Sequence, residues 1–223
     1  GEALAEDVVA RLYGAPIDWD SSGEPRSFTP NTDNDNRHID FGDLQPADAE
    51  AQVPSVPQQN QWMLNPPDLG ERNIDYDMNT RVFYKYTTSA QTEIQLVRQD
   101  EFRNQGMSKS QPTLENSAGP ITMEVRTRTP LIYYQDSVDF SSNMCFIVKN
   151  SGDGTAFLRD SANDQYTNIG ENSNTGKVKL TIYNTGNVEF TSDSGSGDGD
   201  QATTTVNLVS GSGIKCFDMN LPD

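Results

Sequence analysis

From about residue 80 onward the chain carries a series of short apolar runs, several of which alternate apolar and polar residues with a period of two. In KVKLTIY (177–183), Val178, Leu180 and Ile182 stand on one side and Lys177, Lys179 and Thr181 on the other. Val82, Tyr84 and Tyr86 alternate in the same way within RVFYKY (81–86). Only an extended backbone sends successive side chains to opposite faces, so the pattern excludes a helical bundle. The further runs are EIQLVR (93–98), PITMEVRT (120–127), PLIYY (130–134), MCFIVK (144–149), TAFLR (155–159), NVEFT (187–191), ATTTVNLV (202–209) and IKCFDM (214–219). Turn-forming segments divide them: SGDG at 151–154, NTGN at 184–187 and GSG at 211–213. NTG between two alternating runs reads as a hairpin. Eight to ten short antiparallel strands predict an all-β domain over 80–223, a jelly roll or β-sandwich. The long polar segments 99–119 and 160–176 read as surface excursions.

The preceding residues follow other rules. EALAEDVVARLY (2–13) spaces Leu4, Val8, Val9 and Leu12 as on one helix face, with Glu2, Glu6 and Asp7 near its start and Gly14 and Pro16 behind it. This predicts a short amphipathic helix that needs a packing partner. Residues 14–79 then hold eight of the twelve prolines and polar stretches such as TPNTDNDNRH. No strong strand pattern interrupts them, and a loop of this length within a compact domain is uncommon. The segment reads as an extended arm pinned by Trp19, Phe28, Phe41, Trp62, Met63 and Leu64. Two regions follow: helix plus arm over 1–79, and the β domain over 80–223.

Charge decides what this chain meets. Its 223 residues carry 33 acids and 16 bases, a net charge of −17. Such a surface repels phosphate, so it offers no footprint for nucleic acid or anionic lipid. No apolar stretch approaches the roughly 18–20 residues that span a bilayer, and no secretory leader is legible. The acids are 22 Asp and 11 Glu, the bases 10 Arg and only 6 Lys. Excess Asp with scarce Lys is the surface expected of a protein working in molar salt, where the Debye length falls to about 3 Å.

Chemistry-bearing motifs are sparse. Cys145 and Cys216 each lie in an apolar run with no CxxC and no neighbouring His, which excludes a zinc site. An internal disulfide, two buried thiols and a bridge to another chain all stay open. The single histidine, His38, lies in the arm, too few for a His-rich metal centre. Asp136, Asp139, Glu124 and Glu189 flank apolar runs, but acids are everywhere and no hydrolase pair stands out. NTDNDN (31–36) opens with calcium-loop spacing at Asn31, Asp33 and Asp35, yet has Asn36 for the sixth-position glycine and Gly42 for the twelfth-position glutamate. SDSGSGDGDQ (192–201) reads as a solvated tip, and no phosphate-binding glycine motif occurs. None of the 19 Asn begins an N-x-[ST] sequon. The sequence therefore predicts no enzyme, no cofactor, no metal and no small-molecule substrate.

A helix, an arm and a β block without a site combine naturally in shell-forming proteins. In its acidic Asp-rich surface, its size, EALAEDVVARLY and the strands from RVFYKY to IKCFDM, the chain resembles the single β-barrel major capsid proteins of tailless icosahedral haloarchaeal viruses. The resemblance implies a virion shell subunit that assembles with its own copies and a related capsid protein above an internal membrane. It also implies that Leu4, Val8 and Leu12 face a neighbour or the membrane side. Two other readings stand beside it. LYGAPIDWD (12–20) is similar to the region after the hydrophobic helix of archaeal pilins and cell-surface proteins, which implies an extracellular β domain. Tyr84, Tyr86, Tyr133 and Tyr134 on strands fit a carbohydrate-binding module.

If the acidic surface is adapted to salt, the midpoint of urea unfolding rises steeply between roughly 0.1 M and 3 M KCl. A midpoint that does not move contradicts that reading.

Overall fold

The computed structural model describes residues 5–14, 38–45, 55–62, 73–134, 141–158, 175–183, 189–191, 197–198 and 201–220. The fold is all-β, and the chain divides into two units, Gly1–Thr87 and Thr88–Asp223.

In the first unit, β1 (Ala5–Tyr13) lies between β2 (His38–Leu44) and β3 (Asn79–Tyr86), antiparallel to both. The expected N-terminal helix is thus a central strand. A spacing of four fits period two as well as period 3.6, so Val8 and Leu12 are buried on a strand just as they would be on a helix. Two further facts favour the strand. Val8 and Val9 are β-branched, and a strand buried on both faces reads as a continuous apolar run, here Val8, Val9, Ala10 and Leu12. A bulge at Asp7 (φ 52°) shifts the register between Glu6 and Val9 and blurs the alternation. The Asp7 backbone N–H donates to Asp43 Oδ1 at 3.0 Å. Leu4 lies outside the described residues.

Strand β2 falls inside the region read as arm. HIDFGDL offers only Ile39 and Phe41 as alternating apolar residues; Ile39 is 1% exposed opposite Ala10. Gly42 (φ 64°), whose N–H donates to Asp40 Oδ1 at 2.8 Å, adapts β2 to the bulge in β1. Residues 55–62 and 73–78 have no regular structure. RVFYKY pairs with β1 and belongs to this unit rather than to the sandwich.

The second unit begins with short pieces. These are β4 (Ala90–Gln91), β5 (Leu96–Arg98), α1 (Gln99–Asn104), β6 (Glu115–Asn116), β7 (Ile121–Val125) and β8 (Leu131–Tyr133). Helix α1 lies in the segment read as a surface excursion. Ahead of it, Arg98 Nε donates to Asp100 Oδ1 at 2.9 Å, and this bond holds the Asp100 carboxyl down at about 2. Longer strands follow: β9 (Ser141–Asn150), β10 (Lys177–Tyr183), β11 (Glu189–Thr191), β12 (Gly197–Asp198), β13 (Gln201–Asn207) and β14 (Ser212–Asn220). They form a four-stranded sheet, β11-β14-β9-β7, and a three-stranded sheet, β10-β13-β12, both antiparallel. β4 pairs with β6, and β5 with β8 in the one parallel pairing among the described residues.

One core joins the two larger sheets. Val125, Met144, Phe146, Val148, Phe190, Phe217 and Met219 come from the first, Leu180, Ala202 and Val206 from the second. Phe217, 1% exposed, meets Phe146 and Phe190 edge-to-face at centroid distances of 6.0 and 6.4 Å. This is a sandwich, and no barrel closes among the described residues.

The turn signals fare unequally. At Ser210–Gly211 both residues have positive φ, and Val209 and Ser212 exchange backbone bonds of 2.8 and 3.2 Å, a two-residue turn from β13 to β14. After β9, Asn150 closes SGDG by accepting from Gly152 N–H and donating to Gly154 O. The NTGN segment (184–187) lies outside the described residues. Its flanking strands β10 and β11 pair with β13 and β14 in different sheets, because each must lay its apolar face on the shared core from its own side. TAFLR supplies only an isolated bridge, Phe157 to Thr175.

Gly213 marks the closest approach of β13 and β14: a Cβ there would lie 2.3 Å from Asn207 O and 2.7 Å from Val206 Cγ1. Gly213→Ala should cost roughly 1–3 kcal/mol in urea unfolding at fixed salt. An unchanged midpoint would show that the strands are not so close.

Candidate functional site

The two cysteines sit directly opposite each other on neighbouring strands. Cys145 N–H donates to Thr127 Oγ1 at 2.9 Å, and Cys145 O accepts from Arg126 N–H at 2.8 Å. Both backbone groups therefore turn towards β7. This leaves Cys145 and Cys216 as a pair without mutual backbone bonds, the closer of the two pair types in an antiparallel ladder. Their Cα atoms are 4.0 Å apart, and a disulfide of 2.03 Å joins them. The core residues of β9 and β14 alternate with the cysteines, so the disulfide lies on the outer face of the sheet, with Cys216 exposed. Beside it Ile147 pairs with Ile214, which is 48% exposed. Lys149 Nζ donates to the Glu124 carboxylate on the next strand.

Other proposed sites do not assemble in this way. Val8 and Leu12 are buried within β1 and form no helix face. Tyr84 and Tyr86 meet edge-to-face, 6.3 Å apart at 81°, so they offer no coplanar platform for a sugar ring. Tyr133 ends β8, and Tyr134 after it is exposed. Asp136, Asp139 and the segment 31–36 lie outside the described residues. Among the described residues no group of three His, Cys, Asp or Glu is arranged to hold a metal, and no helix is long and apolar enough to cross a membrane.

A basic row is the arrangement that sequence reading missed. On one face of the first sheet, Arg11 of β1 lies directly opposite Arg81 of β3 and, on its other side, opposite His38 of β2. Arg11 and Tyr13 share a face because they are two apart on a strand. The Arg11 guanidinium carbon lies 5.3 Å from the centre of the Tyr13 ring, and that of Arg81 lies 5.0 Å from the same ring. One aromatic ring thus gathers two cations, within the range of cation–π attraction. Four residues along β3, Lys85 donates to Glu6. The signal was half local: Arg11 and Tyr13 are visible as neighbours, but Arg81 joins them only through a pairing across 70 residues.

Large apolar side chains also remain exposed on outward strand positions: Val82 at 56%, Tyr84 at 44% and Tyr183 at 71%. No family model, curated protein or solved structure matches the chain.

The disulfide closes a loop of 71 residues. The double variant Cys145→Ser, Cys216→Ser should keep its β-type circular dichroism and lose up to about 4 kcal/mol of stability, because the unfolded chain is no longer constrained. Equal urea midpoints would show that the strand ladder alone sets this register.

Proposed function

We propose that the protein is a structural subunit of a virion shell, the major capsid protein of a halophilic archaeal virus, built to be covered by its neighbours. One observation supports this most: rigid strands of both units present exposed Val82, Tyr84, Tyr183 and Ile214 to the outside. Burying such side chains against other subunits gains about 1.5–3 kcal/mol each. A β-sandwich suits this use, because its long ladders keep each exposed residue at a fixed place and let weak contacts add over many copies. The acidic surface keeps the unassembled chain soluble until those faces are covered. On this reading the partners are further copies of the chain and a related shell protein, and the place is the virion.

A second reading draws on the disulfide. Cystines persist in oxidising surroundings outside the cell, which favours the extracellular domain of an archaeal pilin or surface protein. Both readings make the chain a building block whose outward faces find other proteins.

Sedimentation velocity of the full chain in molar KCl tests the shared claim. A discrete oligomer is expected, and Tyr183→Asp with Ile214→Asp should shift it towards the monomer with an unchanged far-ultraviolet spectrum. A wild-type chain that stays monomeric at all accessible concentrations would contradict the reading.

A further inference from the structure

The two sulfurs of the disulfide have different surroundings. The bond lies on the outer face of its sheet and runs across it from β9 to β14. Cys216 is exposed, whereas Cys145 is half-buried. A thiolate displaces one sulfur by attacking the other in line, from the side away from the sulfur that leaves. For Cys216 that side lies beyond β14. There β11 stops at Thr191 opposite Asp218, two residues short of Cys216, so no described strand flanks the approach. For Cys145 that side lies over β7 and is occupied. Val125 pairs with Phe146, and Arg126 follows opposite Cys145, its backbone N–H donating to Cys145 O at 2.8 Å. Val125 is buried on the inner face, which puts the exposed Arg126 side chain on the outer face, in the row of the disulfide.

Charge separates the two sulfurs in the same sense. Arg126 beside Cys145 stabilises a thiolate there. Asp218, exposed on the same face two residues from Cys216, disfavours a thiolate on Cys216. Cys145 is therefore the better leaving group, and Cys216 is the sulfur open to attack. Breaking the bond asks little of the ladder. Cys145 and Cys216 exchange no backbone bonds, so parting their sulfurs leaves those of the Met144–Phe217 and Phe146–Lys215 pairs in place. Phe217, buried on the other face, holds the register meanwhile.

We propose that Cys216 is a thiol-exchange site of the folded protein, open to small external thiols, with Cys145 as the leaving group. The external thiolate attacks Cys216 Sγ and forms a new S–S bond with it. The Cys145–Cys216 bond breaks, and its electron pair leaves on Cys145 Sγ as a thiolate. The external sulfur is oxidised and Cys145 reduced, so one disulfide replaces another and no further reactant is needed. A dithiol goes one step further: its second thiolate attacks its own first sulfur, closes a disulfide within the reagent and releases Cys216 as a thiolate.

Three readouts on the dilute full chain in molar KCl test this. Dithiothreitol should reduce the disulfide at a rate proportional to its concentration and flat in urea up to the unfolding transition, because the folded state itself reacts. A rate that climbs with urea from the lowest concentrations would show that the bond opens only on unfolding, and would overturn the site. Brief exposure to glutathione, followed by acid quenching, alkylation and peptide mass spectrometry, should find glutathione on Cys216 and the alkyl group on Cys145. Glutathione mainly on Cys145 would overturn the direction of attack. Arg126→Gln should slow reduction about twofold or more, with Arg128→Gln at the wild-type rate and circular dichroism unchanged in both. Equal rates in the two variants would remove Arg126 from the site.

Discussion

The antiparallel ladder between β9 and β14 is the contact on which the second unit depends. It runs unbroken from Ser141 opposite Asn220 to Lys149 opposite Ser212. β7 and β11 attach to its two sides, and the turn at Ser210–Gly211 ties β14 back to β13 of the other sheet. Its inner face supplies Met144, Phe146, Val148, Phe217 and Met219, five of the eleven buried residues of the core. Its outer face has the disulfide. A slip of one residue would exchange these faces, sending Phe217 to solvent and Cys216 inward. The covalent link between Cys145 and Cys216 and the burial of Phe217 therefore favour the same register, from opposite faces of one sheet.

The edge of that sheet is closed by side chains rather than by another long strand. Asn116 accepts from Met123 N–H at 2.8 Å and donates to Met123 O at 3.0 Å, copying the pair of bonds that a neighbouring strand would make. Gln111 Nε2 donates to Val125 O at 2.9 Å two residues further along. Such caps discourage unspecific strand addition at β7. Beside this closed edge, the sheet's outer face carries the exposed Ile214.

Much of the second unit was legible in the sequence because its information is local. KVKLTIY writes its own inner and outer faces in seven residues, and β10 has those bounds. The alternation around Cys145 and Cys216 likewise places each cysteine between core residues, although only the register shows that they meet. What failed was non-local or ambiguous. Val8 and Leu12 satisfy helix and strand spacing equally, and the choice between them was made by β2 and β3, which come 25 and more residues later. β2 itself has little intrinsic strand preference and exists because β1 offers it a partner. The basic row was invisible for the same reason, since Arg11 and Arg81 are brought together by a pairing between distant segments.

The central claim is that the β9–β14 ladder is the most stable part of the second unit and that the rest is assembled on it. Native-state hydrogen exchange on the folded chain in molar KCl reads this directly. The amides of Met144, Phe146 and Phe217, which point across the ladder beside the disulfide-linked pair, should exchange last and only through global unfolding. Exchange of these amides as fast as those of the short β4–β6 pair would contradict the account.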